Sequence, residues 1–249
     1  GYVGSPDRAT FGESNLRVVN TSGLYFLERG CTITLTSGDQ NTPAYSQSGE
    51  KAALYIQTGC TLVVSTAKGV TIAGGAVFVV PTASDNQTAT VKADFAMSGG
   101  ALGFGGAPGN SHTRTRYIKP GQAGQPDVPK WMTFLVDGNV AWSGGTFVPG
   151  VDASGGANGN GNLQNNADKW QVKKDMNITK PNQNAAANPI VNPVPWVPPG
   201  QQVAAGFKGT WNVIASDGEV KGDDPTAPQG WTVNEIKPAQ MRKGYKVTK

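Results

Sequence analysis

A chain of 249 residues with a formal net charge of +4, built from 21 Lys and Arg against 17 Asp and Glu, is too weakly and too diffusely charged to read as a nucleic-acid binder. Charged residues are only 15% of the chain, while Gly alone contributes 34 residues. With five Glu, helix formers are scarce, which argues against a helical fold. This balance fits extracellular or virion β proteins better than cytosolic enzymes. There is no run of about 18 apolar residues, so no membrane span is expected.

Residues 1–14 are polar and turn-rich and read as an N-terminal arm. Residues 15–179 read as a β-rich main domain. Shifting the sequence by 29 positions aligns "LYFLERGCTITLT" (24–36) with "ALYIQTGCTLVVS" (53–65) without a gap. Phe26 meets Tyr55, Cys31 meets Cys60 and Ile33 meets Leu62. A shift of 10 maps "GCTL" (59–62) onto "GVTI" (69–72), and "TFLVDGNVAW" (133–142) is a fainter echo. In each copy, apolar residues alternate with Thr, as in half-buried strands. Spacings near 10 between strands and near 30 between similar strands suggest the circuits of a solenoid. Equivalent side chains would then stack about 4.8 Å apart. Cys31 and Cys60, the two cysteines, are read as structural members of one inward ladder, and whether they are bonded stays open. The rival fold is a β-sandwich or jelly roll.

Two loops interrupt this domain. Residues 107–130 carry the sole histidine, His112, with Arg114 and Arg116 close by. They read either as a small cationic lip for an acidic glycan or partner, or as a solvated excursion. Residues 150–168 are mostly Gly, Asn, Ala and Asp and read as a mobile loop. They lack the carboxylates that a calcium-binding repeat needs. Residues 180–207 hold six of the prolines and read as a polyproline-type linker or extended arm. Within it, Trp196 either anchors a neighbouring subunit or packs back on its own domain. Residues 208–249 read as a small C-terminal β unit. It opens with a hairpin turning at Asp217-Gly218, and "GWTVNEIK" and "GYKVTK" add two strands. Arg242, Lys243, Lys246 and Lys249 read as a solubilising basic tail.

"GCTI", "GCTL", "GVTIAGG" and "MSGGALGFGG" together resemble the pectate-lyase-like right-handed parallel β-helix proteins over residues 15–106. The likeness is closest to their non-enzymatic relatives, bacterial surface proteins, adhesins and phage tail proteins. That resemblance implies an all-β solenoid and a structural or assembly role at a cell surface, in an extracellular filament or in a virion. It also raises polysaccharide cleavage. The family's hydrolases, however, use clustered aspartates, a Gly-His-Gly histidine and an Arg-x-Lys element. Here His112 sits in Asn-Ser-His-Thr, "RYIK" has the wrong spacing, and the adjacent acids Asp223-Asp224 lie far along the chain. No catalytic residue, cofactor or metal ligand set is therefore assigned. Self-association or other structural subunits are the expected partners. A glycan is the alternative ligand, bound through His112, Arg114, Arg116 or an exposed aromatic such as Trp142, Trp131 or Trp170, although packing in the core is the commoner fate of a tryptophan in a strand.

Overall fold

A computed structural model describes residues 17–37, 39–82, 86–105, 118–119, 128–154, 165–181, 188–198 and 200–249. The protein is all-β with large, mainly parallel sheets. Its strands fall into three stacks that the chain visits in cyclic order. The first stack contains Val18–Asn20, Tyr45–Gln47, Val70–Ile72, the start of Phe95–Phe104, the start of Val140–Val148, Met176–Ile178 and Val220–Gly222. The second contains Leu24–Leu27, Ala53–Gln57, Ala76–Val80, the far halves of the two long strands, and Ile190–Val191. The third contains Thr32–Leu35, Thr61–Val64, Thr88–Lys92, Thr133–Val136, Lys169–Val172 and Thr210–Ser216. Parallel pairing departs from the antiparallel order of the sandwich alternative.

The 29-residue self-match is the strand register itself. Phe26 pairs with Tyr55 in the second stack, and Ile33 pairs with Leu62 in the third. The 10-residue echo has a different origin. It relates Thr61–Val64 of the third stack to Val70–Ile72 of the first, consecutive sides of one circuit. Later circuits are longer: Phe95 pairs with Val140, Val140 with Met176 and Met176 with Val220.

Alternation places one side of every strand inward. In the third stack this produces the ladder Cys31, Cys60, Ala89, Phe134, Trp170, Ile214, every member at most 3% exposed. Small residues occupy its first three rungs, and the larger Phe134, Trp170 and Ile214 the later ones. Trp170 is the hub of the later core. Its ring centroid lies 5.4 Å from that of Trp142, 5.5 Å from Phe147 and 6.0 Å from Phe95. Burying one such ring is worth about 4–6 kcal/mol before entropic costs. The first circuits instead bury a satisfied polar group. The Tyr45 hydroxyl donates to Gln47 Oε1 at 2.8 Å, and Asn20 Nδ2 donates to the same oxygen at 3.3 Å. Burial pushes the Tyr45 phenol pKa well above its ordinary range.

Where the first stack turns into the second, Gly75, Gly100 and Gly145 lie over one another, all with positive φ. A Cβ on Gly100 would sit 2.5 Å from the carbonyl oxygen of Gly75, and one on Gly145 would sit 2.7 Å from that of Gly100. The repeated Gly-Gly pairs in "IAGGA", "MSGGA" and "WSGGT" thus make a corner where circuits approach too closely for side chains.

The C-terminal residues depart from expectation. Asp217-Gly218 does not turn a hairpin, because Thr210–Ser216 continues the third stack while Val220–Gly222 continues the first. The strands over "GWTVNEIK" and "GYKVTK" do form. Gly244–Thr248 pairs antiparallel with Thr210–Ser216 and then with Thr232–Ile236, ending the parallel order. Arg242 is not part of a free basic tail. Its Nε donates to Val220 O at 2.9 Å and its Nη2 to Gly222 O at 2.7 Å, and its Nη1 meets Asp224 at 2.8 Å and Glu235 at 3.1 Å. The guanidinium thereby serves edge carbonyls that a further strand would otherwise satisfy.

The two segments read as irregular are also partly ordered into strands. Gly150–Asp152 pairs in parallel with Val194–Trp196, and Ile190–Val191 joins the second stack.

Candidate functional site

The outward face of the first stack carries a polar ladder at the corner that precedes each strand. Asp94 Oδ1 accepts from the backbone N–H of Asn139 at 2.8 Å and from its Nδ2 at 3.1 Å. Asn139 Oδ1 accepts from the N–H of Asp175 at 3.4 Å, and Asp175 Oδ1 from the N–H of Glu219 at 2.9 Å. Each side chain thus bonds the backbone of the equivalent residue one circuit later. A short polar side chain suits this place, because it reaches one inter-strand spacing and no further.

Beside the ladder runs a shallow trough of about 430 Å³. Its floor includes the outward residues Ala96, Ala141 and Asn177, and its walls include Lys68, Asp94, Asp175 and Lys221. A second depression of about 390 Å³ lies across the corner, against Lys92, Asp137 and Lys174, and shares Asp94 and Ala67 with the first. Lys221 Nζ stands 2.7 Å from Asp175 Oδ2. That hydrogen bond, with help from the Glu219 N–H, holds the Asp175 carboxyl below the usual carboxylate range. The same contact raises the Lys221 ammonium. The surface offers paired donors and acceptors over a flat small-residue floor, chemistry suited to a hydroxyl-rich ligand.

Among the described residues, no group of three or more His, Cys, Asp and Glu side chains converges to hold a metal ion. His112, Arg114 and Arg116 lie outside the described residues. Trp142 is fully buried and donates its Nε1 to Gly144 O at 3.0 Å, so it cannot stack on a ligand. Trp170 is equally buried. Trp196 packs edge-on against Trp131 of the same chain, ring centroids 5.7 Å apart. Cys31 and Cys60 are buried free thiols with Sγ atoms 3.9 Å apart.

Sequence reading passed over the Asp94, Asn139, Asp175, Glu219 ladder. Its signal is a polar residue directly before an apolar strand start, as in "DF", "NV", "DM" and "EV". Those pairs recur at unequal intervals, because loops of different length separate them.

No family model matches the chain, and neither the curated proteins nor the solved structures provide a match.

Proposed function

We propose that this chain is a parallel β-helical solenoid and acts as a non-enzymatic structural or assembly protein of a cell surface, an extracellular filament or a virion. The observation that carries the reading is the use of corner carboxylates as struts. Asp94 and Asp175 each direct one carboxylate oxygen to the next circuit's backbone, with Asn139 between them. Charge is thereby committed to axial rigidity along a body of low charge density. A stack held by nearest-neighbour contacts resists lateral deformation and presents long regular faces to other subunits. Sedimentation velocity and small-angle scattering over a wide concentration range test the proposal. Oligomers that grow with concentration are expected. A compact monomer that never associates, alone or with envelope or virion components, would overturn the assembly role.

A second reading, a glycan-binding module, is favoured by the trough over Ala96, Ala141 and Asn177. It is tested on a glycan array with wild type and Ala141→Trp, a substitution on the exposed floor. Binding lost in the variant supports this reading, and no binding by either protein removes it.

A further inference from the structure

Cys31 and Cys60 occupy consecutive rungs of one inward ladder, in the first two circuits of the third stack. Their Sγ atoms are 3.9 Å apart, with the Cys31 thiol directed at Cys60. Stacked parallel strands hold equivalent Cα and Cβ atoms about 4.8 Å apart, inside the Cα range of disulfides and slightly beyond their usual Cβ range of about 3.5–4.5 Å. A small tilt between two rungs therefore suffices to bring the sulfurs to bonding distance.

Their place in the stack gives such a bond a consequence. In a body held by contacts between adjacent repeats, neighbouring circuits part locally at less than the free energy of global unfolding. In the first described circuit, the corner before Cys31 is an exposed pair in the left-handed region, Arg29 at φ 59° and Gly30 at φ 68°. A non-glycine residue there is strained, which favours local opening at this corner. Both thiols are thus buried in the closed state, yet Cys31 directly follows a corner that opens. Burial pushes the Cys60 thiol up to about 12, so reaction proceeds through the open form.

We propose that Cys31 and Cys60 form a redox latch that fastens the first circuit to the second. The oxidant is a small-molecule disulfide. One Cys thiolate attacks it, releasing one small thiol and leaving a mixed disulfide. The second Cys thiolate attacks the protein sulfur of that mixed disulfide and expels the other small thiol. One S–S bond forms in the protein, one breaks in the oxidant, and the two cysteine protons end on the two released thiols. The same couple run backwards by excess small thiol reopens the latch.

The full chain is incubated with oxidised glutathione or with dithiothreitol and then compared without any substitution. Oxidation is expected to take the denatured thiol titre from two to zero at unchanged monomer mass, with a cross-linked peptide pair containing Cys31 and Cys60. Tryptic cleavage after Arg29 is expected to slow roughly tenfold or more in the oxidised form, because the bond pins Cys31, next to the scissile Arg29–Gly30 bond, to the second circuit and so hinders the local opening that cleavage requires. Cys31→Ala is expected to cleave at the reduced wild-type rate under both conditions. Two titratable thiols surviving an incubation that oxidises the urea-unfolded chain would overturn the latch. So would cross-links only between chains, or an Arg29 cleavage rate unaffected by the bond.

Discussion

Asp175 grips the next circuit at two points: Oδ1 accepts from the Glu219 backbone N–H at 2.9 Å, and Oδ2 meets Lys221 Nζ at 2.7 Å. The folded-state pKa of Asp175 lies below its ordinary value of 3.8. A depressed carboxyl contributes stability that is present above the unfolded pKa and is lost as pH falls through the folded pKa. Asp175→Asn keeps an oxygen for the Glu219 N–H but loses the ion pair. Wild type should therefore melt above the variant at neutral pH, and the gap should close as the buffer is taken well below 3.8. Thermal melts of both proteins across that range check this, and a gap independent of pH would contradict it.

Gly100→Ala should destabilise the protein far more than Gly30→Ala. Both residues have φ near +70°, so both substitutions incur left-handed strain of about 1–2 kcal/mol. Only at Gly100 does the new Cβ also meet backbone, 2.5 Å from Gly75 O, whereas nothing lies within 4 Å at Gly30. Urea titration should separate the two by about 1–3 kcal/mol or more. Equal losses would mean that the glycine corner is not close-packed.

Trp170→Ala should cost about 3–5 kcal/mol, since it removes the ring on which Phe95, Trp142 and Phe147 converge. Near-UV circular dichroism should lose much of its aromatic fine structure. Trp196→Ala, which removes a half-buried ring, should cost less. A Trp170→Ala protein as stable as wild type would place that ring outside the core.

Arg242→Lys should not be conservative. An ammonium has no planar fork with which to serve Val220 O, Gly222 O and two carboxylates together. A loss of about 2–3 kcal/mol is expected, with faster amide exchange at Val220–Gly222. Exposed Lys208→Ala should stay within about 0.5 kcal/mol of wild type. Equal behaviour of the two variants would return Arg242 to the role of a solubilising charge.

The early circuits were readable from sequence because nothing interrupts them. Phe26 and Tyr55, or Ile33 and Leu62, stand 29 residues apart both in the self-match and in the register. The same geometry joins Phe134 to Trp170 and Trp170 to Ile214, but loops of different length stretch the interval until no fixed shift reveals it. The Asp217-Gly218 error has a related cause. Turn chemistry reports a local reversal, whereas pairing with Lys169–Val172 and Met176–Ile178 carries the flanking strands into different stacks. Trp142, readable as ligand-facing or core, and Arg242, read as a solubilising charge, share one difficulty: an isolated aromatic or cation in a sequence does not say which neighbours a distant strand will bring. The Asp94 ladder escaped notice because its members differ in residue type and share only their place before a strand.

The register intervals also bear on biosynthesis. Among the described residues, every parallel pair of strands joins residues 23–46 apart, as Ala53 with Ala76 and Ser98 with Gly144 show at the two extremes. A nascent chain leaving the ribosome can therefore dock each new circuit on the one just finished, without waiting for distant sequence. Thr210–Ser216 follows the same rule by a different route: its outer edge is covered 29–38 residues later by Gly244–Thr248, which runs antiparallel to it, so this strand waits no longer for its partner than the earlier ones do.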